Sequence, residues 1–239
     1  MNIALLTAGG TGNRMGQDIP KQFMCVDNTP VIIYTLQAFQ HHPEIDAIAV
    51  VCLPGWDVIL QAYANQYSIT KMKWIFDGAD TNQGSIYNGI KGLNDAGCAA
   101  DDIILVHDGV RPLVSAEIIS NNIAVCKEYG YAVTGLTCKE AIMEKIDNLL
   151  SYVEIPRERL VRTQTPHTYR LSTLLDAHKL AAEQGITNTV ASCTLFALVG
   201  CEQQHLVEGS EKNGLKLTRP QDLDLFKAMI HTEPESWMK

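Results

Sequence analysis

The chain has 239 residues, of which 46% are hydrophobic and 19% charged, and its formal net charge is −8. This composition is that of a globular protein long enough to bury a sizeable core, which excludes a disordered chain. The acidic balance provides no global basic field, so we expect no nucleic-acid partner.

Neither the start of the chain nor any apolar stretch indicates export or membrane insertion. The segment "IALLTA" is too short for a signal sequence, and no stretch approaches the roughly 18 apolar residues of a membrane span. The seven cysteines form an odd set without a CxxC pair, which predicts free thiols in a reducing compartment. We therefore expect a cytoplasmic protein without a membrane partner.

Apolar runs of strand length alternate with segments of helical spacing in the first half of the chain. The predicted strands are 3–8, 47–52, 72–76, 102–108 and 131–136, and the predicted helices are 30–42, 56–67, 84–95 and 115–130. These strands are continuously apolar, which is typical of a parallel sheet covered on both faces. The pattern predicts a three-layer α/β sandwich with a mostly parallel sheet, as one domain over 1–239.

The pattern changes after about residue 136. Residues 140–146 and 150–155 predict two short strands around an "IDNLL" turn, which would form a β-hairpin arm projecting from the domain over 137–158. An inserted arm of this kind can serve as a subunit contact. The remaining predicted elements are helices 171–185 and 219–232 and strands 196–200 and 205–209.

The segment "AGGTGNRMGQDIPKQ" follows the first predicted strand. It lacks the Lys-Ser or Lys-Thr of a Walker loop, and the glycine spacing of a dinucleotide loop fails at Met15. Gly9 and Gly10 would let the backbone approach a phosphate ligand and donate their amides to it. Arg14 and Lys21 would add two positive charges, which is the electrostatic clamp that nucleotidyl transfer requires.

Asp108 ends the buried segment "DIILVHD", at the edge where parallel sheets bind ligands. A carboxylate there is costly unless it meets a cation, and a Mg²⁺ ion that bridges phosphates is the natural partner. A helix cap or a local salt bridge with Arg111 is the alternative. His107, beside it, is interpreted as a packing residue at the strand end.

Four motifs, "GGTGNRMG...PKQF", "VHDGVRP", "QTPHTYR" and "VEG...LKLTRPQDL", follow one another between residue 3 and about residue 230. Together they resemble the cytidylyltransferases that act on polyol phosphates, a family that includes the 2-C-methyl-D-erythritol 4-phosphate and D-ribitol 5-phosphate enzymes. The resemblance implies a Rossmann-like fold of the nucleotide-diphospho-sugar transferase type. It also implies transfer of CMP from CTP to a polyol phosphate, with Mg²⁺ as cofactor and pyrophosphate as the second product.

The resemblance assigns roles to individual residues. The implied catalytic residues are Arg14, Lys21, Arg157 and Lys216. The implied CTP ligands are Thr7, Ala8, Gly9, Gly10, Gly78, Ala79, Asp80, Ser85 and Asp108, of which Asp108 is also the implied metal ligand. The implied acceptor ligands are Arg111, Arg157 and Lys216, with Arg159 and Arg162 as alternatives to Arg157. In this family the arm reaches the neighbouring subunit's active site, which implies a homodimer.

Two positions depart from the family pattern. Asn82 stands where relatives usually carry Arg, and Ala141 removes a hydroxyl that could bond a polyol. The altered acceptor positions favour the ribitol 5-phosphate branch, which feeds wall or capsule polymers, over the methylerythritol branch of isoprenoid precursor synthesis. A pyrophosphorylase with other substrates and a nucleotide-binding homologue without turnover are the remaining alternatives.

Overall fold

The protein is described from a computed structural model that covers residues 1–10, 19–147, 151, 153–200 and 203–232. The strands are β1 (Asn2–Ala8), β2 (Cys25–Val26), β3 (Thr29–Pro30), β4 (Ala47–Cys52), β5 (Met72–Asp77), β6 (Ile103–Asp108), β7 (Tyr131–Thr137), β8 (Ile142–Glu144), β9 (Val153–Ile155), β10 (Val161–Arg170) and β11 (Leu206–Glu208). The helices are α1 (Val31–Gln40), α2 (Asp57–Gln66), α3 (Asn82–Asp95), α4 (Ala116–Tyr129), α5 (Leu171–Glu183), α6 (Ser192–Leu198), α7 (Glu211–Gly214) and α8 (Pro220–His231).

Seven strands form one mixed sheet in the order β11-β7-β10-β6-β1-β4-β5. Strand β1 pairs in parallel with β4 and β6, β4 with β5, and β7 with β11. Strand β10 is antiparallel to both of its neighbours, β6 and β7. The predicted mostly parallel, Rossmann-like α/β fold is confirmed.

Helices cover both faces of the sheet because its central strands are apolar on both sides. All six residues of β4 are buried. Val50 packs in the cluster that includes α1, α2 and α4, whereas Val51 packs in the cluster that includes α3, α5 and α6. The alternation of side chains along each strand therefore supplies two cores, one for each helical layer.

The elements predicted for the first half of the chain are confirmed, with ends that differ by no more than two residues. Helix α4 also has the predicted caps: the Ser115 hydroxyl accepts a hydrogen bond from the Ile118 amide, and Gly130 follows the helix with φ at 90°. In the second half, helices α5 and α8 and strand β11 confirm the predictions at 171–185, 219–232 and 205–209.

The strand predicted at 196–200 is wrong, because this segment belongs to α6 and the turn after it. The buried residues of α6 are Ser192, Cys193, Leu195 and Phe196, a spacing that places one helical face against the core. Phe196 stacks on Tyr169 with ring centroids 4.3 Å apart. The apolar run "FALVG" is thus the last part of a helix and the turn that follows it, rather than a strand.

The β-hairpin predicted for the arm is confirmed, with shorter strands than expected. Strands β8 and β9 pair antiparallel, with Ile142 opposite Ile155. Part of the "IDNLL" turn lies outside the described residues. Met143 and Val153 on the arm are exposed. Among the described residues, no helix is both long and apolar enough to cross a membrane.

Asn122 of α4 joins the helix to two strands. Its side chain donates to Thr134 Oγ1 at 2.8 Å and accepts from Thr168 Oγ1 at 3.1 Å, and all three residues are buried. Replacing Asn122 by Ala would leave a buried hydroxyl without its partner, so the free energy of unfolding should fall by about 2 kcal/mol. Urea unfolding measures this loss. The same change at the exposed neighbour Asn121 is the control, and an equal loss there would contradict the assignment.

Candidate active site

Loops at the carboxyl ends of β1, β4, β5 and β6 surround a cavity of about 610 Å³. This edge of a parallel sheet is where α/β proteins bind their ligands. Every residue that the resemblance assigns to CTP lines this cavity, namely Thr7, Ala8, Gly9, Gly10, Gly78, Ala79, Asp80, Ser85 and Asp108. The cavity is also lined by Lys21 and Lys216. The structure therefore brings together side chains that lie more than half the chain apart in sequence.

Two glycines allow the loop after β1, which begins with Gly9, to lie against the loop after β5, which begins with Gly78. A Cβ atom on Gly78 would lie 3.0 Å from the Gly9 Cα and 3.1 Å from the Cys52 carbonyl oxygen, closer than a side chain allows without backbone movement. Ser85, in the first turn of α3, fixes the loop after β5, because its hydroxyl accepts a hydrogen bond from the Ala79 amide at 3.0 Å. Its hydroxyl also donates to the Ala79 carbonyl.

Gln22 holds the first loop and was not singled out from the sequence. It follows Lys21 in a short 3-10 helix, Lys21–Phe23, and is almost completely buried. Its side-chain amide donates to the Ala8 carbonyl at 2.7 Å and to the Gly10 carbonyl at 3.1 Å. The only sequence signal for this role is its place directly after the lysine in "PKQ". Arg14 lies outside the described residues.

Asp108 is held between two cations. Its Oδ2 atom lies 2.9 Å from Arg111 Nε, and its Oδ1 atom lies 2.9 Å from Lys216 Nζ. Arg111 Nη1 also donates to the carbonyls of Asn213 and Gly214, so it ties the end of α7, just before Lys216, to the end of β6. The salt bridge considered as the alternative for Asp108 is therefore present, and Arg111 acts on the position of Lys216.

The electrostatics keep Asp108 ionised. Burial alone would raise the pKa of its carboxyl, but the adjacent Lys216 and Arg111 outweigh burial and hold that pKa well below its usual value. Within the described part of the cavity wall, Lys21 and Lys216 are matched by Asp80 and Asp108. The negative charge of a bound polyphosphate would therefore have to be balanced by backbone amides and by cations other than these two lysines.

A smaller pocket of about 170 Å³ adjoins the large cavity. The two share Thr7, Asn82, Asp108 and Lys216 in their walls. The smaller pocket is also lined by Arg111 and by polar residues of β10, namely Thr163, Gln164, Thr165 and His167. Thr165 Oγ1 accepts a hydrogen bond from the Asp108 amide at 3.1 Å, which fixes β10 against the end of β6.

Arg157 is not brought to either cavity within its own chain. It lies on a 3-10 turn, Arg157–Arg159, that follows the arm, and it is exposed. Its Nη1 atom donates to the Lys139 carbonyl at 2.8 Å. Arg162, one of the alternatives, pairs with Glu211 at 2.8 Å. Within its own chain, Arg157 is therefore placed outside both cavities.

Three buried histidines make stability depend on pH. Burial lowers the pKa of His107, His167 and His178 from 6.5 to about 4. Between pH 6.5 and 4 the unfolded chain therefore binds more protons than the folded protein. The free energy of unfolding is highest above pH 6.5 as far as these rings are concerned, and it falls as the pH drops towards 4. His107 packs edge-on against Phe39 and contacts the Arg111 carbonyl, in agreement with a packing role.

Urea unfolding between pH 7.5 and 4.5 should therefore show a loss of several kcal/mol, since one pKa unit is worth about 1.4 kcal/mol. Replacing His178 by Leu should reduce the slope of this loss, because His178 touches neither cavity and contributes through its burial alone. A stability that is constant down to pH 4.5 would contradict the neutral, buried state of these rings.

A Rossmann-like sheet whose glycine loop and lysines line one cavity at its carboxyl edge is typical of an α/β enzyme that binds phosphorylated ligands. A family model described as "IspD: 2-C-methyl-D-erythritol 4-phosphate cytidylyltransferase" matches residues 2–232. The chain therefore belongs to the IspD family of cytidylyltransferases.

Individual relatives agree with this assignment. The chain is 41% identical to the ribitol-5-phosphate cytidylyltransferase of Lacticaseibacillus paracasei, over 96% of this chain and 98% of the relative. It is 35% identical to the 2-C-methyl-D-erythritol 4-phosphate cytidylyltransferase of Clostridium acetobutylicum, over 96% and 97%. The crystal structure of the 4-diphosphocytidyl-2C-methyl-D-erythritol synthase from Anaerococcus prevotii superposes with a TM-score of 0.80 at 21% identity, covering 96% of this chain and 98% of that one, and shares its fold.

Proposed function

We propose that this protein transfers CMP from CTP to D-ribitol 5-phosphate, with CDP-ribitol and pyrophosphate as products. The observation that carries the proposal is the junction of the two cavities at Asp108 and Lys216, where a triphosphate in the larger one would meet a phosphate in the smaller one. The relative at 41% identity supports ribitol 5-phosphate as acceptor. The relative at 35% identity makes 2-C-methyl-D-erythritol 4-phosphate the alternative acceptor.

In the proposed reaction an oxygen of the acceptor phosphate attacks the α-phosphorus of CTP. A new P–O bond forms in line with the bond between the α-phosphorus and pyrophosphate. That bond breaks, and pyrophosphate leaves with its electron pair. The attacking phosphate is already ionised near neutral pH, so no general base is needed. The demand on the protein is electrostatic, because a phosphate dianion must approach a triphosphate against repulsion.

The residues of the larger cavity match this demand. The amides of Gly9 and Gly10 would donate to phosphate oxygens, and Lys21 would place an ammonium group against the same triphosphate. Lys216 would stand between the two reacting phosphates, because it lines both cavities. We assign Arg14 to the α-phosphate on the motif alone, since it lies outside the described residues.

We propose Asp108 as a single-carboxylate ligand of Mg²⁺, which would share the two carboxylate oxygens with Arg111 and Lys216. It is ionised and faces the cavity, and Mg²⁺ is commonly held by one or two carboxylates together with substrate phosphates. Among the described residues, there is no cluster of three acidic, histidine or cysteine side chains that would hold a metal without the nucleotide. When bound, the ion would neutralise negative charge on the phosphates.

Two further parts of the proposal concern assembly and location. We propose a homodimer in which the arm of one subunit brings Arg157 to the acceptor phosphate in the other, because Arg157 lines neither cavity of its own chain. We place the reaction in the cytoplasm, since the six described cysteines are free thiols. The product would then serve wall or capsule polymer synthesis.

The test is a pyrophosphate-release assay with purified protein, Mg²⁺ and each of the four nucleoside triphosphates. Ribitol 5-phosphate and methylerythritol 4-phosphate are compared as acceptors at equal concentration. We expect the highest kcat/KM with CTP and ribitol 5-phosphate. A preference for methylerythritol 4-phosphate would establish the alternative acceptor. Tight CTP binding without pyrophosphate release from any acceptor would contradict the proposal and indicate a non-catalytic homologue.

A further inference from the structure

His167 of β10 has a buried ring nitrogen with no hydrogen-bond partner, and it lines the smaller pocket. The residue is only 2% exposed. A buried polar atom without a partner in the protein costs free energy, and a bound water or ligand can supply that partner. The unpartnered atom is Nε2, whereas Nδ1 is bonded within the protein.

The hydrogen bonds around His167 are compatible with a neutral ring that carries its proton on Nε2. The Tyr169 hydroxyl donates to Ser192 Oγ at 3.3 Å, and Ser192 Oγ lies 3.0 Å from His167 Nδ1. Ser192 can accept from Tyr169 and donate its own proton to Nδ1, which is the arrangement that leaves the ring proton on Nε2. Burial lowers the pKa of His167 to about 4, so the ring is neutral at pH 7. In this arrangement Nε2 is a donor.

The position of the pocket indicates which part of a ligand meets this donor. The acceptor phosphate must lie near Asp108 and Lys216, where the two cavities join. The rest of the acceptor would then extend into the smaller pocket, whose volume corresponds to about six water molecules. Besides Asp108, Arg111 and Lys216, the walls there include the hydroxyl-bearing side chains of Thr163 and Thr165, which suit hydroxyl groups of a ligand.

We propose that His167 donates a hydrogen bond from Nε2 to a hydroxyl oxygen of the acceptor's polyol chain, and so contributes to acceptor specificity. This inference rests on the proposed function and deepens it. It concerns the carbon chain of the acceptor, whereas Lys216 and Arg157 are assigned to its phosphate. Ser192 is a positioning residue here, because it holds the ring in the tautomer that can donate.

The kinetic test compares His167→Ala, His167→Gln and Ser192→Ala in the pyrophosphate-release assay. We expect His167→Ala to raise the KM for ribitol 5-phosphate by about tenfold to a hundredfold, with the KM for CTP unchanged. His167→Gln should recover most of the loss, because its amide can donate from a similar position. Ser192→Ala should show a smaller increase in the same KM.

His178 provides a matched control. Its Nε2 atom is also buried without a partner and its pKa is also lowered to about 4, but it stacks on Tyr87 away from both cavities. His178→Ala should lower the melting temperature and leave the KM for the acceptor unchanged. Equal effects of the two Ala variants on both KM values and on melting would contradict a ligand role for His167.

A spectroscopic measurement on the unaltered protein keeps the test independent of variant folding. With ¹⁵N-labelled histidine rings, His167 should show a protonated Nε2 whose signal shifts when ribitol 5-phosphate is added with a non-hydrolysable CTP analogue. A deprotonated Nε2 or a signal that does not shift would overturn the inference. An active enzyme with an unchanged acceptor KM in His167→Ala would refute the His167 assignment alone. No turnover by the unaltered protein would refute the proposed function itself.

Discussion

Replacing Lys216 by Ala should lower kcat/KM for pyrophosphate release by about a hundredfold to a thousandfold. Lys216 Nζ lies 2.9 Å from Asp108 and borders both cavities, so its charge stands where the two phosphates would meet. Removing one preorganised cation from a phosphoryl-transfer site typically has an effect of this size. Steady-state assays that vary CTP and the acceptor separately measure it. Since Lys216 would contact the acceptor phosphate, the loss should include a raised KM for the acceptor.

Lys212 provides the matched control for this prediction. It is an exposed lysine in α7, four residues before Lys216 in the chain, and it lines neither cavity. Lys212→Ala should leave the rate within about twofold, since exposed substitutions away from a site have small effects. Lys216→Arg should recover only part of the activity, because it keeps the charge but changes its geometry. Full activity of Lys216→Ala would contradict the assignment of the junction.

Part of the larger cavity was predictable from the strand pattern. Strands β1 and β6 are continuous apolar runs whose ends are marked by Gly9 and Asp108. Parallel strands put their carboxyl ends at one edge, which predicts that these two residues lie close together. The places of Ser85 and Lys216 were implied by the family resemblance alone. Gln22 could not be found in this way, because nothing in its sequence position shows that its amide bonds two carbonyls of the loop.

Strand β10 was not predicted, and with it the smaller pocket was missed. The segment "VRTQTPHTYR" contains a proline and alternates polar residues, which resembles a loop. It lies in the interior of the sheet because its neighbours β6 and β7 bury it on both sides, and its register shifts between Thr163 and His167. Polar side chains at this irregular stretch, including Thr163 and His167, line the smaller pocket instead of packing in an apolar core, which is why the local pattern did not predict a strand there.

The place of Arg157 could be inferred neither from the sequence pattern nor from one chain. The arm begins after β7, and Arg157 follows its second strand, β9. The Arg157 side chain is exposed and donates a hydrogen bond to the Lys139 carbonyl. The charge of an exposed guanidinium group is screened by water and salt, so it adds little to the electrostatic potential of a site elsewhere in its own subunit. The proposal that it serves a neighbouring subunit makes a prediction that separates the two arrangements.

Arg157→Ala should reduce kcat/KM by about a hundredfold or more, and mixed dimers should recover activity. In a dimer of one Arg157→Ala subunit and one Lys216→Ala subunit, one site keeps Lys216 and receives Arg157 from the other subunit. The second site lacks both residues. If the arm acts across the interface, such dimers should have about half the activity of the unaltered dimer. Co-expression with two affinity tags isolates them for the assay.

The reverse combination provides the control, since both preparations contain the same two substitutions. In a dimer of an unaltered subunit and an Arg157→Ala/Lys216→Ala double variant, the unaltered subunit keeps Lys216 but receives no Arg157 from its partner. Action across the interface predicts an almost inactive dimer, whereas action within one chain predicts about half activity here and almost none in the first mixture. A monomer in sedimentation experiments, with full turnover, would also contradict the exchange of Arg157. The activity pattern of the two mixtures therefore depends on which subunit supplies this guanidinium group and is unaffected by how much each single substitution costs.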